Sequence, residues 1–167
     1  WTQQGTIGGV LRHIQEHWDT AGNMYVCIHT DTQFIVYNPN DGSFINLTKG
    51  TAYTSADFWS ADTYGDWYIF SNGSDVIQAW KMTKTAGVFD DAVDLGGTPP
   101  KARVVLTVGS YLMLLGIESG TATDLRKVQW SASGAPETWT GSDSGNLYVY
   151  EGEGNIVAAK RLTRDSV

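Results

Sequence analysis

This 167-residue sequence contains little cysteine, little charge and no long apolar run. Its one cysteine, Cys27, has no partner for a disulfide within the chain, and the apolar residues around it indicate a small buried side chain. The sequence nowhere approaches the ~18 consecutive apolar residues that a membrane-spanning helix needs, and its start lacks the pattern of a signal peptide. We therefore expect no membrane among the partners of this segment.

The charged residues are few and mostly acidic. Lys and Arg number 11 against 18 Asp and Glu, the net charge is −7, and charged residues make up only 17% of the chain. A surface that follows the phosphates of DNA needs Lys and Arg clustered on one face. This balance argues against DNA as a bound ligand, although DNA can pass an acidic surface without adhering to it.

Aromatic residues and glycine are abundant instead, with 7 Trp, 8 Tyr and 19 Gly. Aromatic side chains fit the pleated surface of a sheet, and Gly supplies the left-handed conformations of tight turns. Short apolar runs bounded by Gly, Asn, Asp or Ser recur along the chain, as is typical of strands joined by turns. They predict strands at 24–29, 33–37, 44–47, 67–70, 76–82, 103–108, 111–116, 127–131, 146–150 and 155–159.

Units of about 40 residues with three or four short strands each are typical of β-propeller blades. We predict an all-β fold in which 1–167 forms one propeller-like region, with blades of three to four antiparallel strands. About three blades and a partial one fit this length, and 146–150 with 155–159 would open the partial blade. Because 162–167 reads as a turn followed by the start of a strand, we expect an incomplete propeller and a fragment of a longer chain.

One segment, 11–18, has a helical alternative. Leu11, Ile14 and Trp18 are spaced like one face of a helix, but an outer strand would also accept these residues. Elsewhere the spacing predicts almost no helix.

The order of several short motifs resembles a known family. In the first half the pattern is similar to "W-[ST]…GD…NG-x-D…W", and in the second half a Pro-Pro-Lys-Ala-Arg stretch precedes a hairpin and two Trp-containing turns. Together they resemble the propeller-forming tail and neck proteins of bacteriophages, of the tail nozzle or packaged-DNA stabilisation type. The residues of the pattern are Trp59, Asn72, Gly73, Asp75, Trp80, Arg103, Arg126, Trp130, Ser131 and Trp139.

The resemblance implies a structural component of a phage tail or neck, located in the virion, that lines or closes the channel through which DNA leaves the head. Its partners would be copies of itself in a symmetric ring and other tail or portal-complex proteins, with DNA passing through without specific binding. The resemblance implies neither an enzyme nor a cofactor.

Elementary chemistry gives the same residues structural roles. Trp130 and Trp139 flank a polar turn, where each can bury its ring while the indole N–H reaches a backbone carbonyl. Asn72-Gly73 has the chemistry of a turn with positive φ. Arg103 and Arg126 are suited to fork-like bonds to loop carbonyls or to a carboxylate between blades.

Catalytic and metal-binding patterns are weak. His13 and His17 are four residues apart with Glu16 between them, but a zinc protease places its Glu directly after the first His. Asp90, Asp91 and Asp94 form an acidic cluster without the glycine and the closing glutamate of an EF-hand loop. We predict a solvated loop there and no metal site.

The alternative function is a carbohydrate-binding β module, because exposed aromatic faces stack on sugar rings. Several tryptophans exposed on one face would favour that hypothesis, and tryptophans buried between blades would favour the structural one. The tryptophans concerned are Trp18, Trp59, Trp67, Trp80, Trp130 and Trp139.

Overall fold

A computed structural model describes residues 7–118, 125–150 and 154–161 of the chain, and this part contains strands but no helix. The predicted all-β class is therefore confirmed. In chain order the strands are β1 (Leu11–Trp18), β2 (Met24–Thr30), β3 (Phe34–Asn38), β4 (Ser43–Asn46), β5 (Ser60–Tyr64), β6 (Trp67–Ser71), β7 (Gln78–Trp80), β8 (Lys84–Thr85), β9 (Val88–Phe89), β10 (Val93–Asp94), β11 (Ala102–Val108), β12 (Tyr111–Ile117), β13 (Lys127–Trp130) and β14 (Gly145–Tyr148).

The strands form three antiparallel sheets of four strands each. Sheet 1 has the order β1-β2-β3-β4, sheet 2 the order β5-β6-β7-β10 and sheet 3 the order β11-β12-β13-β14. Strands β8 and β9 form a separate two-stranded hairpin between β7 and β10. Sheets 1 and 3 are thus meanders of strands that follow one another in sequence, and in sheet 2 the β8–β9 hairpin intervenes before the last strand. Four antiparallel strands in a meander are the arrangement of a propeller blade.

Sheet 2 lies between sheets 1 and 3 and packs a different face against each. Tyr68, Phe70 and Trp80 point to sheet 1, whereas Ile69 and Ala79 alternate with them and point to sheet 3. This division follows from the two-residue period of a strand. We call the face of a sheet toward the preceding sheet its rear face, and the face toward the following sheet its forward face.

Two buried clusters hold the stack together. The first joint, between sheets 1 and 2, contains Tyr25, Cys27, Phe34, Val36, Leu47, Tyr53, Ala56, Trp59, Tyr68, Phe70, Trp80 and Ala92. The second joint, between sheets 2 and 3, contains Ile69, Ile77, Ala79, Leu95, Ala102, Val105, Leu112, Leu114, Ile117 and Trp139. Among the described residues no third cluster connects sheet 3 back to sheet 1, so the stack is open.

The first strands of sheets 2 and 3 are tied by hydrogen bonds as well as by packing. Ser60 Oγ accepts a bond of 3.0 Å from the backbone N–H of Val105, and Asp62 Oδ2 accepts one of 2.7 Å from the N–H of Thr107. These donors lie on the edge of β11 that has no strand partner. Side chains of β5 therefore satisfy an edge that would otherwise be open.

The helical alternative for 11–18 is wrong, since this segment is strand β1 and pairs with β2. His17 is fully buried on its forward face, while Ile14 and Trp18 are exposed on its rear face. The usual alternation is inverted, because polar side chains take the buried positions. The spacing of the apolar residues in β1 therefore matched one face of a helix, although the segment is a strand.

The end of the described chain also differs from expectation. Strand β14, within the predicted opening of a further unit, is the fourth strand of sheet 3 and pairs with β13. Residues 155–159 form no strand, although the N–H of Ile156 donates a bond of 3.0 Å to the carbonyl of Leu125. The described residues thus contain three four-stranded sheets, and the predicted turn and strand at 162–167 lie outside them.

Candidate functional site

The first joint is built around two tryptophans of the predicted pattern. Trp80 is completely buried, and Trp59 is buried with its indole N–H donating a bond of 2.8 Å to the carbonyl of Thr30. The ring of Phe34 lies 6.0 Å from that of Trp80 in an edge-on arrangement. Aromatic pairs in this geometry add to the free energy of burial. Both residues therefore connect sheet 1 to sheet 2.

Sequence reasoning missed two buried histidines in the same joint. His29 stacks between aromatic rings, 4.7 Å from the ring of Trp59 and 5.0 Å from that of Phe34, and its Nε2 lies 3.2 Å from the hydroxyl of Tyr68. His17 Nε2 lies 3.1 Å from the carbonyl oxygen of Asp66. Their burial was not predicted because histidine is a polar residue and is usually expected at the surface. Alternation with apolar residues on β2 is the one signal that could have revealed His29.

The environment of these histidines favours the neutral imidazole. Burial lowers the pKa of His29 well below its ordinary value, and the nearby His13 adds to this effect. Burial also lowers the pKa of His17, against opposing contributions from Asp66 and Asp19. The Nδ1 atoms of both rings are buried without a hydrogen-bond partner in the described part of the chain. A proton added there would have no acceptor to stabilise it.

The predicted turn at Asn72 and Gly73 is confirmed. Asn72 Oδ1 accepts bonds from the N–H groups of Ser74 at 3.0 Å and Asp75 at 2.8 Å, which closes the turn. Gly73 has φ of 76°, and a Cβ there would lie 3.1 Å from the ring of Phe58. The turn therefore needs glycine both for its backbone angle and for the space.

Asp75 connects this turn to the segment before β5. Its carboxylate accepts bonds from the N–H of Thr54 at 2.8 Å, from the hydroxyl of Thr54 at 2.7 Å and from the amide of Asn72 at 2.8 Å. Burial alone would raise the pKa of Asp75, but the bonds from Thr54 and Asn72 lower it overall. The carboxylate is thus held as a charged structural acceptor.

The two arginines of the pattern have different surroundings. Arg103 on β11 forms an ion pair with Glu118 through its Nε, and Glu118 directly follows β12 of the same sheet. Arg126 is half-buried just before β13, and its backbone carbonyl accepts a bond of 3.0 Å from the N–H of Val149. No ion pair of the Arg126 guanidinium is found within the described residues. Arg103 thus binds a carboxylate as predicted, but through one nitrogen and within sheet 3 instead of between blades.

Ser131, Trp130 and Trp139 lie at the end of β13 and in the loop that follows it. The buried hydroxyl of Ser131 accepts a bond of 3.1 Å from the N–H of Leu112 and donates one of 3.0 Å to the carbonyl of Ala132. The indole N–H of Trp130 donates to the carbonyl of Asp143 at 3.0 Å, as predicted. Trp139 is buried in the second joint, but its indole N–H has no acceptor among the described residues, so that half of its prediction is wrong.

The six tryptophans of the described residues do not form one exposed platform. Trp59, Trp80 and Trp139 are buried, and the ring of Trp67 is covered by the ammonium of Lys81 at 4.1 Å. Trp18 is 52% exposed on the rear face of sheet 1, and the half-buried Trp130 lies on sheet 3 at the other end of the stack. This distribution favours a structural role for the tryptophans in core packing over a role in binding sugars.

The candidate metal ligands do not converge. Within the described residues, no group of three or more His, Cys, Asp or Glu side chains is arranged to hold a metal ion. Asp94 forms an ion pair of 2.8 Å with Lys49 and accepts a bond of 2.5 Å from Gln78. Asp90 bonds instead to Thr85 and Thr83, which lower the pKa of its carboxyl group. Asp90 and Asp94 therefore each bind different protein groups and do not act as one acidic cluster.

Two sheet faces at the ends of the stack carry exposed apolar side chains. The rear face of sheet 1 carries Ile14, Trp18, Val26, Tyr37 and Phe44, of which Ile14 is 55% and Phe44 37% exposed. The exposed Glu16 and Asn46 lie on the same face. The forward face of sheet 3 carries Val108, Tyr111, Met113, Trp130 and Leu147, of which Val108 is 40% and Leu147 48% exposed. On this second face Val108, Tyr111, Met113 and Trp130 line a shallow apolar groove.

Comparison with protein-family models, with curated proteins and with solved structures finds no match to this chain. The resemblance to phage tail and neck proteins consequently depends on the sequence motifs, and the structure adds the blade-like arrangement of three sheets. In the described residues no helix has the length and apolarity to cross a membrane.

Proposed function

We propose that this chain is a structural component of a phage tail or neck, of the nozzle or head-to-tail completion type, whose blades form part of a rigid wall around the DNA exit channel. Its partners would be further copies in a symmetric ring and neighbouring tail or portal proteins in the virion. The single observation that carries the proposal is the stack of three four-stranded blades joined face to face by buried aromatic and aliphatic clusters.

The joints supply the rigidity that such a wall requires. The first joint includes four completely buried aromatic side chains, Phe34 from sheet 1 and Tyr68, Phe70 and Trp80 from sheet 2. Burying side chains of this size contributes ~2 kcal/mol or more each. Close packing also leaves the blades few alternative orientations, because interiors of proteins are packed like organic crystals. A wall of such blades resists deformation.

The contacts of the arginines support a conduit that DNA passes without adhering. Arg12 on β1 pairs with Asp57 at 3.0 Å, and Arg103 on β11 pairs with Glu118. Arg161 donates a bond of 3.3 Å to the carbonyl of Thr107. These arginines are engaged with protein groups, and the net charge of −7 repels phosphates. Arg164 lies outside the described residues.

The proposal is tested on phage particles from a culture that carries the gene. Purified virions are dissociated, heads and tails are separated, and the chain is quantified by mass spectrometry against the major capsid protein. We expect a fixed small number of copies per particle in the tail or neck fraction, and labelling with an antibody at the head-tail junction or the tail tip. Absence of the chain from purified virions would refute the proposed function.

A further inference from the structure

All three histidines of the chain lie in sheet 1, on the side that faces sheet 2. His13 and His17 lie on the forward face of β1, and His29 lies opposite His13 on β2, with the two rings 5.7 Å apart. The second joint contains no histidine. Histidine is the side chain that ordinarily changes its charge between about pH 5 and pH 8. Such groups are therefore concentrated in one of the two joints.

Tyr68 of sheet 2 is a common contact of the two buried histidines. Its hydroxyl lies 3.2 Å from His29 Nε2, and its ring centre lies 5.6 Å from that of His17. Tyr68 is itself completely buried. Sheets 1 and 2 are thus held together in part through two imidazole rings, each of which takes up a proton when it is in water at mildly acidic pH.

His29 has no negative charge beside it in the described part of the chain. The titratable groups that face it are His13 from β1 and the hydroxyl of Tyr68 from β6, and burial raises the pKa of Tyr68 so that this hydroxyl stays neutral. The other rings around His29 are the uncharged ones of Phe34, Trp59 and Phe70. A protonated His29 would be a buried cation without a partner, which is costly.

His17 has a more mixed environment. Asp66 in the β5–β6 turn and Asp19 in the β1–β2 turn favour its charged form, and Lys81 and Lys84 line the same cleft as these two carboxylates. Burial outweighs the carboxylates, so the pKa of His17 is lowered overall. Its Nε2 already lies against the carbonyl oxygen of Asp66, and its Nδ1 has no acceptor within the described residues. His17 therefore adds a weaker preference in the same direction as His29.

We infer that the first joint is an acid-sensitive hinge, at which sheet 1 separates from sheets 2 and 3 when His29 and His17 take up protons. The segment 47–59, which connects β4 to β5, is the covalent link on which the two parts turn. Sheets 2 and 3 stay together, because their joint has no histidine and is also tied by the bonds that Ser60 and Asp62 accept from β11. The inference goes beyond the proposed function, since it concerns the isolated chain.

Proton uptake sets the size of the effect. In the open state both rings lie in water and titrate near their ordinary pKa of 6.5, whereas in the closed state burial lowers the pKa of each ring and favours its neutral form. The ratio of open to closed chain should therefore rise by about tenfold for each ring that stays neutral when the pH falls from 7.5 to 5.5, and by up to about 100-fold for both. Above about pH 7.5 the ratio should no longer change with pH.

Two thiol probes, one in each joint, test the inference. Cys27 is the probe in the first joint, and Ala79→Cys combined with Cys27→Ala places the matched probe in the second, since both positions are completely buried. Each thiol is labelled with dithiodipyridine, which reacts with thiols in mild acid, and the rate is divided by that of the urea-unfolded chain at the same pH. From pH 7.5 to pH 5.5 this relative rate should rise about 10- to 100-fold for Cys27 and less than about threefold for the second probe. Ala102→Cys is an alternative second probe at another completely buried position.

A histidine variant identifies the groups that take up the protons. His29→Phe keeps a ring that can stack on Trp59 but cannot be protonated, and His17→Gln removes the second imidazole. The chain with both substitutions should lose the acid response of Cys27, and circular dichroism at pH 7.5 establishes that it folds. The comparison of the two probes needs no histidine substitution, so it stands even if this variant does not fold.

Three results would overturn the inference. They are Cys27 labelling that does not rise in acid, labelling that rises equally at both probes because the whole chain unfolds, and a folded histidine variant that still opens at pH 5.5. The experiment contains neither virions nor DNA, so its outcome is independent of the proposed function. A hinge that opens in a chain absent from virions would refute the phage role alone, whereas a virion protein whose first joint stays closed in acid would refute this inference alone.

Discussion

The imidazole of His29 and the indole of Trp59 stack at a ring distance of 4.7 Å and an interplanar angle of 26°, inside the joint between the first two sheets. Both rings are buried, and only the indole has its N–H satisfied by a backbone carbonyl. The stack therefore places a titratable ring where its charged form is costly. The stability of the first joint depends on keeping His29 neutral.

Acid should weaken the fold before the carboxylates titrate. The folded-state pKa values of His29 and His17 lie below the unfolded value of 6.5, so the unfolded chain binds more protons as the pH falls below 6.5. Stability is then full above that pH and falls by up to about 1.4 kcal/mol per pH unit for each ring that stays neutral. Urea unfolding at pH 7.5 and pH 5.5 measures the loss.

A substitution separates the histidine effect from a general weakening. His29→Gln should lower stability at pH 7.5 but reduce its dependence on pH between 7.5 and 5.5. Ile69→Val in the second joint is the control, since it removes a buried methylene without touching a titratable group and should leave the pH dependence unchanged. A His29→Gln chain with the same pH dependence as the unmodified one contradicts the prediction.

Cys27 reports directly on the opening of the first joint. The thiol is completely buried, and burial raises its pKa well above the ordinary value. We expect no reaction with a thiol reagent at pH 7.5 in the folded chain and full reaction in denaturant, because only an exposed thiolate reacts. Rapid labelling of the native chain at neutral pH would show that the joint opens more readily than its packing indicates.

Trp80 is buried and Trp18 is exposed, so the two tryptophans should differ strongly in their contribution to the free energy of unfolding. Trp80 is completely buried, so Trp80→Ala should cost about 3–5 kcal/mol of the free energy of unfolding. Trp80→Phe should cost less, since it also removes an indole N–H that has no acceptor in the described part of the chain. Trp18→Ala is the control on the exposed rear face and should change stability by about 0.5 kcal/mol or less at low protein concentration. Equal losses for Trp80→Ala and Trp18→Ala contradict the assignment of the first joint.

Gly97 should tolerate no side chain. Its φ is 75°, and an added Cβ would fall onto the carbonyl group of Glu137. Gly97→Ala should cost about 1–2 kcal/mol for the left-handed backbone and more for displacing the loop that carries Glu137 and Trp139. Gly109→Ala is the matched control, because its φ is 59° but nothing lies within 4 Å of the added Cβ. Thermal unfolding of both variants should show the larger loss for Gly97→Ala.

Affinity for DNA separates a conduit from a DNA-binding module. We expect no binding of duplex DNA in the micromolar range at physiological salt, because the acidic excess disfavours contacts with phosphates. Arg126→Glu should impair folding or assembly and leave this weak affinity unchanged. The opposite result would be micromolar binding of DNA that Arg126→Glu abolishes while the fold stays intact. In that case a DNA-binding role would replace the proposed role as a conduit. Fluorescence anisotropy with a labelled duplex measures it.

Alternation of apolar residues was sufficient to predict most of the fold. The hairpin of β11 and β12 and the meander from β2 to β4 lie within a residue or two of their predicted bounds. Strands β8, β9 and β10 were not predicted, because two residues are too short to show a period. The forward face of β1 was not predicted either, since it carries the half-buried His13 and Gln15 and the buried His17 in place of apolar residues.

The candidate site could be predicted only in part. Local chemistry identified the turn at Asn72 and Gly73, because a turn depends on residues that are adjacent in sequence. The exposed faces at the ends of the stack and the stacking around His29 depend on which sheets become neighbours, and the sequence of one strand carries little information about that. Trp139 shows the same limit, since it is buried in the second joint together with Ile69 and Ala79 of sheet 2, which are distant in sequence.

The order of the sheets along the chain has a consequence for biosynthesis. Sheet 1 completes its strand pairing at Asn46, but Tyr68, Phe70 and Trp80, which cover its forward face, are translated later. Pairing within each sheet is local, which favours fast formation, whereas each joint awaits the next unit. A ribosome-bound chain that ends before β6 therefore displays a finished sheet with an uncovered aromatic side. Chaperone binding should be strongest in this interval and should decline once β7 has emerged.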